Sequence, residues 1–195
     1  MIQFKSIEKL ADFISAIADR NPCIISIDGV DGSGKSCLSH YLTHNTKLRY
    51  IDIDGEYLIP NLGKYVSCIE YDKLESDIYQ SLVSGDSVVV DGICISKILE
   101  NIGLIANIKV YVKNFVLGEW FDGDLFDYSC NIEDVIAAKR KDDQEFADIE
   151  ATIECRGTAI VACSEESMKE EIIRYHFEYH PDHSADIIFG WLKEV

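Results

Sequence analysis

The sequence predicts an α/β fold in which helices cover both faces of a mainly parallel sheet, giving three layers (α/β/α). Two observations predict it. Short apolar, β-branched runs alternate along the chain with stretches of helical periodicity, the pattern of strand–helix–strand units. The runs are apolar throughout, as strands buried on both faces are.

Each element follows in order. Ser6 can cap an amphipathic helix whose Ile7, Leu10, Ile14 and Ile17 share one face, and Asn21-Pro22 stops it after Arg20. Cys23–Ile27 reads as the first strand. A helix opens at Ser36, with Leu38, Tyr41 and Leu42 at helical spacing. Leu48–Ile53 is the second strand. Asp72–Ser84 is a helix with Leu74, Ile78 and Leu82 facing inward, ended by Gly85. Ser87–Asp91 is a buried strand, Ser96–Ile102 a short helix, and Ile108–Val112 the next strand. Asn131 can cap a long charged helix reaching towards Cys155, and Ser164 another that runs to Tyr179 before Pro181. Ala185–Phe189 is the last strand. No repeat or linker divides the 195 residues, so a single domain is expected, with a lid-like helical region at about 115–163.

Composition limits the partners. With 18 Lys and Arg against 35 Asp and Glu, the net charge is −17 at pH 7. A nucleic-acid binder needs a basic stripe to neutralise phosphates, and only Lys139-Arg140-Lys141 approaches one. No nucleic-acid partner is expected. The chain has no apolar run of about eighteen residues, and its opening lacks a signal-peptide core, so no membrane partner is expected either. Seven cysteines without a C-x-x-C pair fit reduced thiols in a cytoplasmic protein.

The chemistry concentrates after the first strand. Gly29-Val30-Asp31-Gly32-Ser33-Gly34-Lys35-Ser36 fits the phosphate-loop pattern G-x-x-x-x-G-K-[ST], and Cys37 follows it. The glycines let the backbone approach a ligand, and the loop amides cradle phosphate oxygens. Lys35 would reach the β- and γ-phosphates, and the Ser36 hydroxyl would ligate Mg²⁺. The following helix turns its positive end to the anion. Val88-Val89-Val90-Asp91 has the form of a strand whose terminal carboxylate holds the same Mg²⁺. Asp54, just past the second strand, is the candidate base for a substrate hydroxyl, and Asp52 shares its parity. Arg140 and Arg174 are candidates for covering the transferred phosphoryl group; Arg156 is a further basic residue.

Other residues favour plainer readings. His40 and His44 lie one turn apart but lack a third ligand, so surface or packing roles are expected. The aromatic and acidic run Trp120–Tyr128 reads as a loop with core anchors rather than a base pocket.

With these residues in hand, the chain resembles the uridine kinase-like branch of P-loop small-molecule kinases. Ile27–Ser36 is similar to that branch's I-d-G-x-x-G-S-G-K-S opening. Asp54-Gly55-Glu56-Tyr57 is similar to its D-x-F-Y segment, whose aspartate is taken as the base, with Glu56 in place of the aromatic. Val90-Asp91-Gly92-Ile93 is similar to its v-E-G-i strand end, with Asp replacing Glu. Tyr179-His180-Pro181 with Ala185-Asp186-Ile187-Ile188 is similar to a late segment of the family. The family's arginine-rich lid has no clean counterpart around Arg140. The resemblance implies a P-loop NTPase fold, ATP as phosphoryl donor, Mg²⁺, and a small acceptor, first of all a nucleoside. Three other readings stand beside it. A nucleotide switch or regulatory ATPase would use water, with Glu56 as the residue to orient it. Nucleoside monophosphate and polynucleotide kinases are disfavoured by the few arginines and the acidic charge.

Overall fold

The computed structural model describes residues 1–59, 64–116, 119–120, 123–153 and 168–193. Strand β1 is Ile2–Phe4, and helix α1, Ile7–Ala18, follows. The Ser6 side chain caps α1 by accepting the Lys9 amide at 3.2 Å, and Leu10, Ala11 and Ile14 form its buried face. Strand β2, Ile24–Asp28, is buried along its whole length. It leads through the glycine-rich loop into α2, Lys35–Asn45. Strand β3 is Arg49–Asp52, and a single π-helical turn, Ile53–Tyr57, continues it.

The second half repeats the alternation. Helix α3 is Tyr71–Val83, β4 is Val88–Asp91 and α4 is Ile95–Asn101. Strand β5, Ile108–Val116, runs further than its apolar start predicts. Its polar end has partners that let it stay extended. Lys113 pairs with Asp182 at 3.3 Å and lies 3.7 Å over the Trp120 ring, and Asn114 reaches the Gly32 carbonyl. Strand β6 is Glu119–Trp120. Helix α5, Ile132–Ile153, starts where Asn131 accepts the Glu133 amide at 2.8 Å. Helix α6 is Met168–Tyr179, α7 is Pro181–Ser184 and β7 is Ile187–Lys193. The expected cap Ser164, together with Arg156, Cys155 and Cys163, lies outside the described residues.

The sheet order is β1-β7-β5-β2-β4-β3, with every neighbour on this path parallel, and β6 folds back antiparallel on β5. Strand parity divides the core. Ile24, Ile51, Val88 and Val90 pack on one face with α3, α4 and α6, while Ile25, Ile27, Val89 and Val110 pack on the other with α1 and α2. Burying a side chain of this size stabilises by about 1.5–3 kcal/mol. The parallel arrangement brings the carboxyl ends of β2, β3 and β4 to one edge of the sheet.

Among the described residues no helix is long and apolar enough to cross a membrane. Cys23, Cys68 and Cys94 are buried free thiols, and Cys37 and Cys130 are exposed free thiols.

Candidate active site

The loop after β2 is built to bring backbone close to a ligand. Gly34 has φ 93°, and a Cβ there would lie 2.6 Å from Trp191 Nε1. Gly29 approaches the Val112 carbonyl so closely that a Cβ would sit 2.8 Å from its oxygen. The turn is held by the Ser33 amide donating to the Val30 carbonyl at 3.2 Å and by Asn114 Nδ2 donating to the Gly32 carbonyl at 3.1 Å. Lys35 is buried, and its Nζ donates to the Val30 carbonyl at 2.8 Å. An ammonium has three protons to place, so a phosphate oxygen would complete its shell. Ser33 Oγ and Trp191 Nε1 are buried beside the loop without a hydrogen-bond partner among the described residues. Ser36 and Cys37 are exposed at the start of α2.

Asp91 ends β4, directly beside β2. It is 1% exposed, and neither carboxylate oxygen has a hydrogen-bond partner among the described residues. Burial raises its pKa, and the charge of Asp52 on β3 adds to the shift. The hydroxyls of Tyr50, Ser39 and Ser36 face the carboxylate closely enough to relieve part of that cost, although none meets hydrogen-bond geometry. A buried carboxylate normally has partners, and one without them is the environment a divalent cation satisfies. The set of Ser36 and Asp91 therefore fits Mg²⁺. Among the described residues no group of three or more His, Cys, Asp or Glu could hold a metal by itself, so phosphate oxygens and water would have to complete the shell.

Asp54 lies in the π-turn past β3, with its side chain exposed. Asp52 caps that turn by accepting the Gly55 amide at 3.1 Å. The two carboxylates thus divide: Asp52 faces Asp91, while Asp54 accepts a short hydrogen bond from the Tyr65 hydroxyl. That hydroxyl also sits against Gly92, where a Cβ would lie 2.8 Å from it, so Asp54 stands close to the end of β4. Glu56 is exposed. Tyr65 lies in a stretch without periodicity, and its sequence context carries no mark of this contact.

The two candidate arginines bridge α5 and α6. Arg140 makes a bidentate pair with Glu170, at 2.7 and 2.6 Å. Arg174 pairs with Glu133 at 2.7 Å. Two lysines come nearer the loop. Lys139 and Lys169 share Asp143, at 3.2 and 3.0 Å, and both line a cavity of about 260 Å³ bordered by Val30 and Asp31. No sequence motif marks Lys169 for this position.

A buried pair joins α6 to the last residue of β2, directly before the loop. Asp28 is 5% exposed, and burial pushes its carboxyl up to about 6 against the opposing pull of the Tyr175 hydroxyl, the Gly29 amide and Lys35. The aromatics elsewhere serve packing. Phe126 stacks on His176 at 3.9 Å and on Trp120 at 5.5 Å. His176 is buried, which lowers its pKa to about 4 and keeps it neutral between Tyr111 and the Ile172 carbonyl. His40 sits edge-on to Tyr50 at 4.8 Å.

This loop, its neighbouring carboxylate strand and the layered parallel sheet define a three-layer α/β/α P-loop kinase-like fold. Among solved structures the chain is similar to a possible uridine kinase from Bacillus stearothermophilus, with a TM-score of 0.51 and 13% identity, over 94% of this chain and 96% of that one. No family model and no curated protein matches the chain.

Proposed function

We propose that this chain is an ATP-dependent kinase that phosphorylates a hydroxyl of a small molecule, with a nucleoside as the first acceptor to test. The observation that carries the reading is the buried Asp91 carboxylate, without a hydrogen-bond partner among the described residues, beside a glycine-rich loop whose Lys35 donates to the Val30 carbonyl. The fold likeness to a possible uridine kinase supports the choice of acceptor.

The residues divide the work. The amides of residues 29–37 bind and orient the donor phosphates, and Lys35 draws charge from the oxygens of the transferred group. Mg²⁺, held by Ser36 and Asp91, would neutralise charge on the same phosphates. Asp54 accepts the proton of the acceptor hydroxyl as its oxygen bonds to the γ-phosphorus and the bond to ADP breaks. Lys139 and Lys169, beside Val30 and Asp31, supply cations from the lid side. Arg140 and Arg174 join them only by exchanging Glu170 and Glu133 for phosphate. The free thiols among the described residues suit a cytoplasmic protein.

The test is ADP release from MgATP with and without uridine, cytidine and other nucleosides. Acceptor-stimulated release is expected. Hydrolysis at one rate whatever the acceptor would favour a regulatory ATPase instead.

A further inference from the structure

Glu171 and Tyr175 stand one helical turn apart on α6, and therefore on one face. Each makes a link that packing does not require, because Ile172 and Ile173 already bury the helix. The Glu171 carboxylate accepts two successive backbone amides, from Tyr65 at 2.7 Å and from Val66 at 3.1 Å. Tyr65 in turn donates its hydroxyl to Asp54. One turn along, the Tyr175 hydroxyl donates to Oδ2 of Asp28, whose Oδ1 accepts the Gly29 amide at 2.8 Å. The same hydroxyl accepts the Ser96 amide at 3.3 Å, so it also touches the start of α4.

One helix face thus grips both halves of the site. Through Glu171 it holds the segment that fixes the candidate base; through Tyr175 it holds Asp28 at the end of β2, which in turn holds the Gly29 amide that opens the loop. A carboxylate bound to paired amides is a strong, directional contact, and Asp28 and Tyr175 meet where water is excluded. We propose that α6 acts as a bar setting the distance between Asp54 and the phosphate loop, with Glu171 and Tyr175 as its positioning residues. The catalytic consequence rests on the kinase reading above; the mechanical link does not.

Neither residue touches the reacting atoms. Their effect is on geometry, and reaction rates are steep in geometry.

The experiment uses amide-resolved hydrogen exchange on the full chain without nucleotide, comparing wild type with Tyr175→Phe and Glu171→Gln. Tyr175→Phe keeps the ring and removes one oxygen. It is expected to speed exchange at Gly29, which it affects through Asp28, and also at Tyr65 and Val66, each by about tenfold. Glu171→Gln is expected to do the same in reverse, reaching Gly29. If each variant loosens only the amides on its own side, α6 is a packing helix and the proposal fails.

A kinetic arm uses MgATP with uridine as the probe acceptor. Both variants are expected to lower kcat by about tenfold with the KM for MgATP within about twofold. A change in KM alone would overturn the positioning role. If wild type transfers nothing to uridine, the kinase reading is in question while the exchange pattern still decides the link.

Discussion

The phosphate loop and the α5–α6 pair meet charge in opposite ways. At the loop end of the sheet, buried polar groups have no hydrogen-bond partner among the described residues: Ser33 Oγ, Trp191 Nε1 and both oxygens of Asp91. On α5 and α6, each described Lys and Arg meets a carboxylate from the same pair of helices. Arg140 meets Glu170, Arg174 meets Glu133, and Lys139 and Lys169 meet Asp143. Unpartnered buried groups cost stability and persist where a ligand will satisfy them. An exposed pair such as Arg174–Glu133 is worth little, about 1 kcal/mol or less, whereas Arg140–Glu170 is bidentate on a buried carboxylate. The loop end is therefore left open to a ligand, while the cations of α5 and α6 already have partners.

That contrast orders the expected effects of substitution. The largest falls on Lys35→Ala, which removes the buried charge aimed at the phosphates. It is expected to lower transfer by about a thousandfold or more. Nucleotide binding can be followed separately by fluorescence, because Trp191 lies against Gly34 and Trp120→Phe removes the second of the two tryptophans. Asp54→Asn comes next. It is expected to lower kcat by about a hundredfold or more while MgATP affinity changes by less than about twofold. Equal turnover in that variant would remove Asp54 from the role of base.

Asp91→Asn sharpens the comparison through stability. The folded pKa of Asp91 is raised by burial, so its protonated form favours the fold below the unfolded pKa, and that contribution is lost as pH rises through the folded value. The variant is expected to raise the melting temperature of the nucleotide-free protein more at pH 8 than at pH 4, while weakening the dependence of turnover on Mg²⁺. A lower melting temperature at pH 8 would mean that the carboxylate is satisfied in the free protein. The smallest effect is expected for Arg140→Gln, a fall in kcat of less than about tenfold, since Arg140 is held by Glu170. A loss as large as that of Lys35→Ala would place Arg140 on the phosphate itself and erase the contrast between the regions.

The same contrast explains what sequence reasoning could reach. The loop at residues 29–36 and the position of Asp91 at the end of β4 were legible because each is marked by a short local run of residues. Most elements were legible because apolar periodicity persists over several residues, as at Leu74, Ile78 and Leu82 on α3. Strand β1 escaped because three residues, with Ile2 45% exposed, are too short to show a period. Strand β6 has only two residues and depends on pairing with Phe115 and Val116. The π-turn at Ile53–Tyr57 rests on one capping contact from Asp52. Tyr65, Glu171 and Tyr175 were invisible for a different reason. Their partners lie far along the chain, Asp28 being 147 residues from Tyr175, and no local pattern encodes such a meeting. Asp54 lies in the turn just past β3, and the Tyr65 hydroxyl that holds it comes from the fold alone.

The central claim is that the loop end of this sheet passes a phosphoryl group to a hydroxyl. The direct measurement follows γ-labelled ATP with Mg²⁺ and uridine, in wild type and in Lys35→Ala. The expected result is label on the nucleoside with wild type and none with Lys35→Ala. Label recovered only as inorganic phosphate, at the same rate with or without any nucleoside supplied, would contradict it.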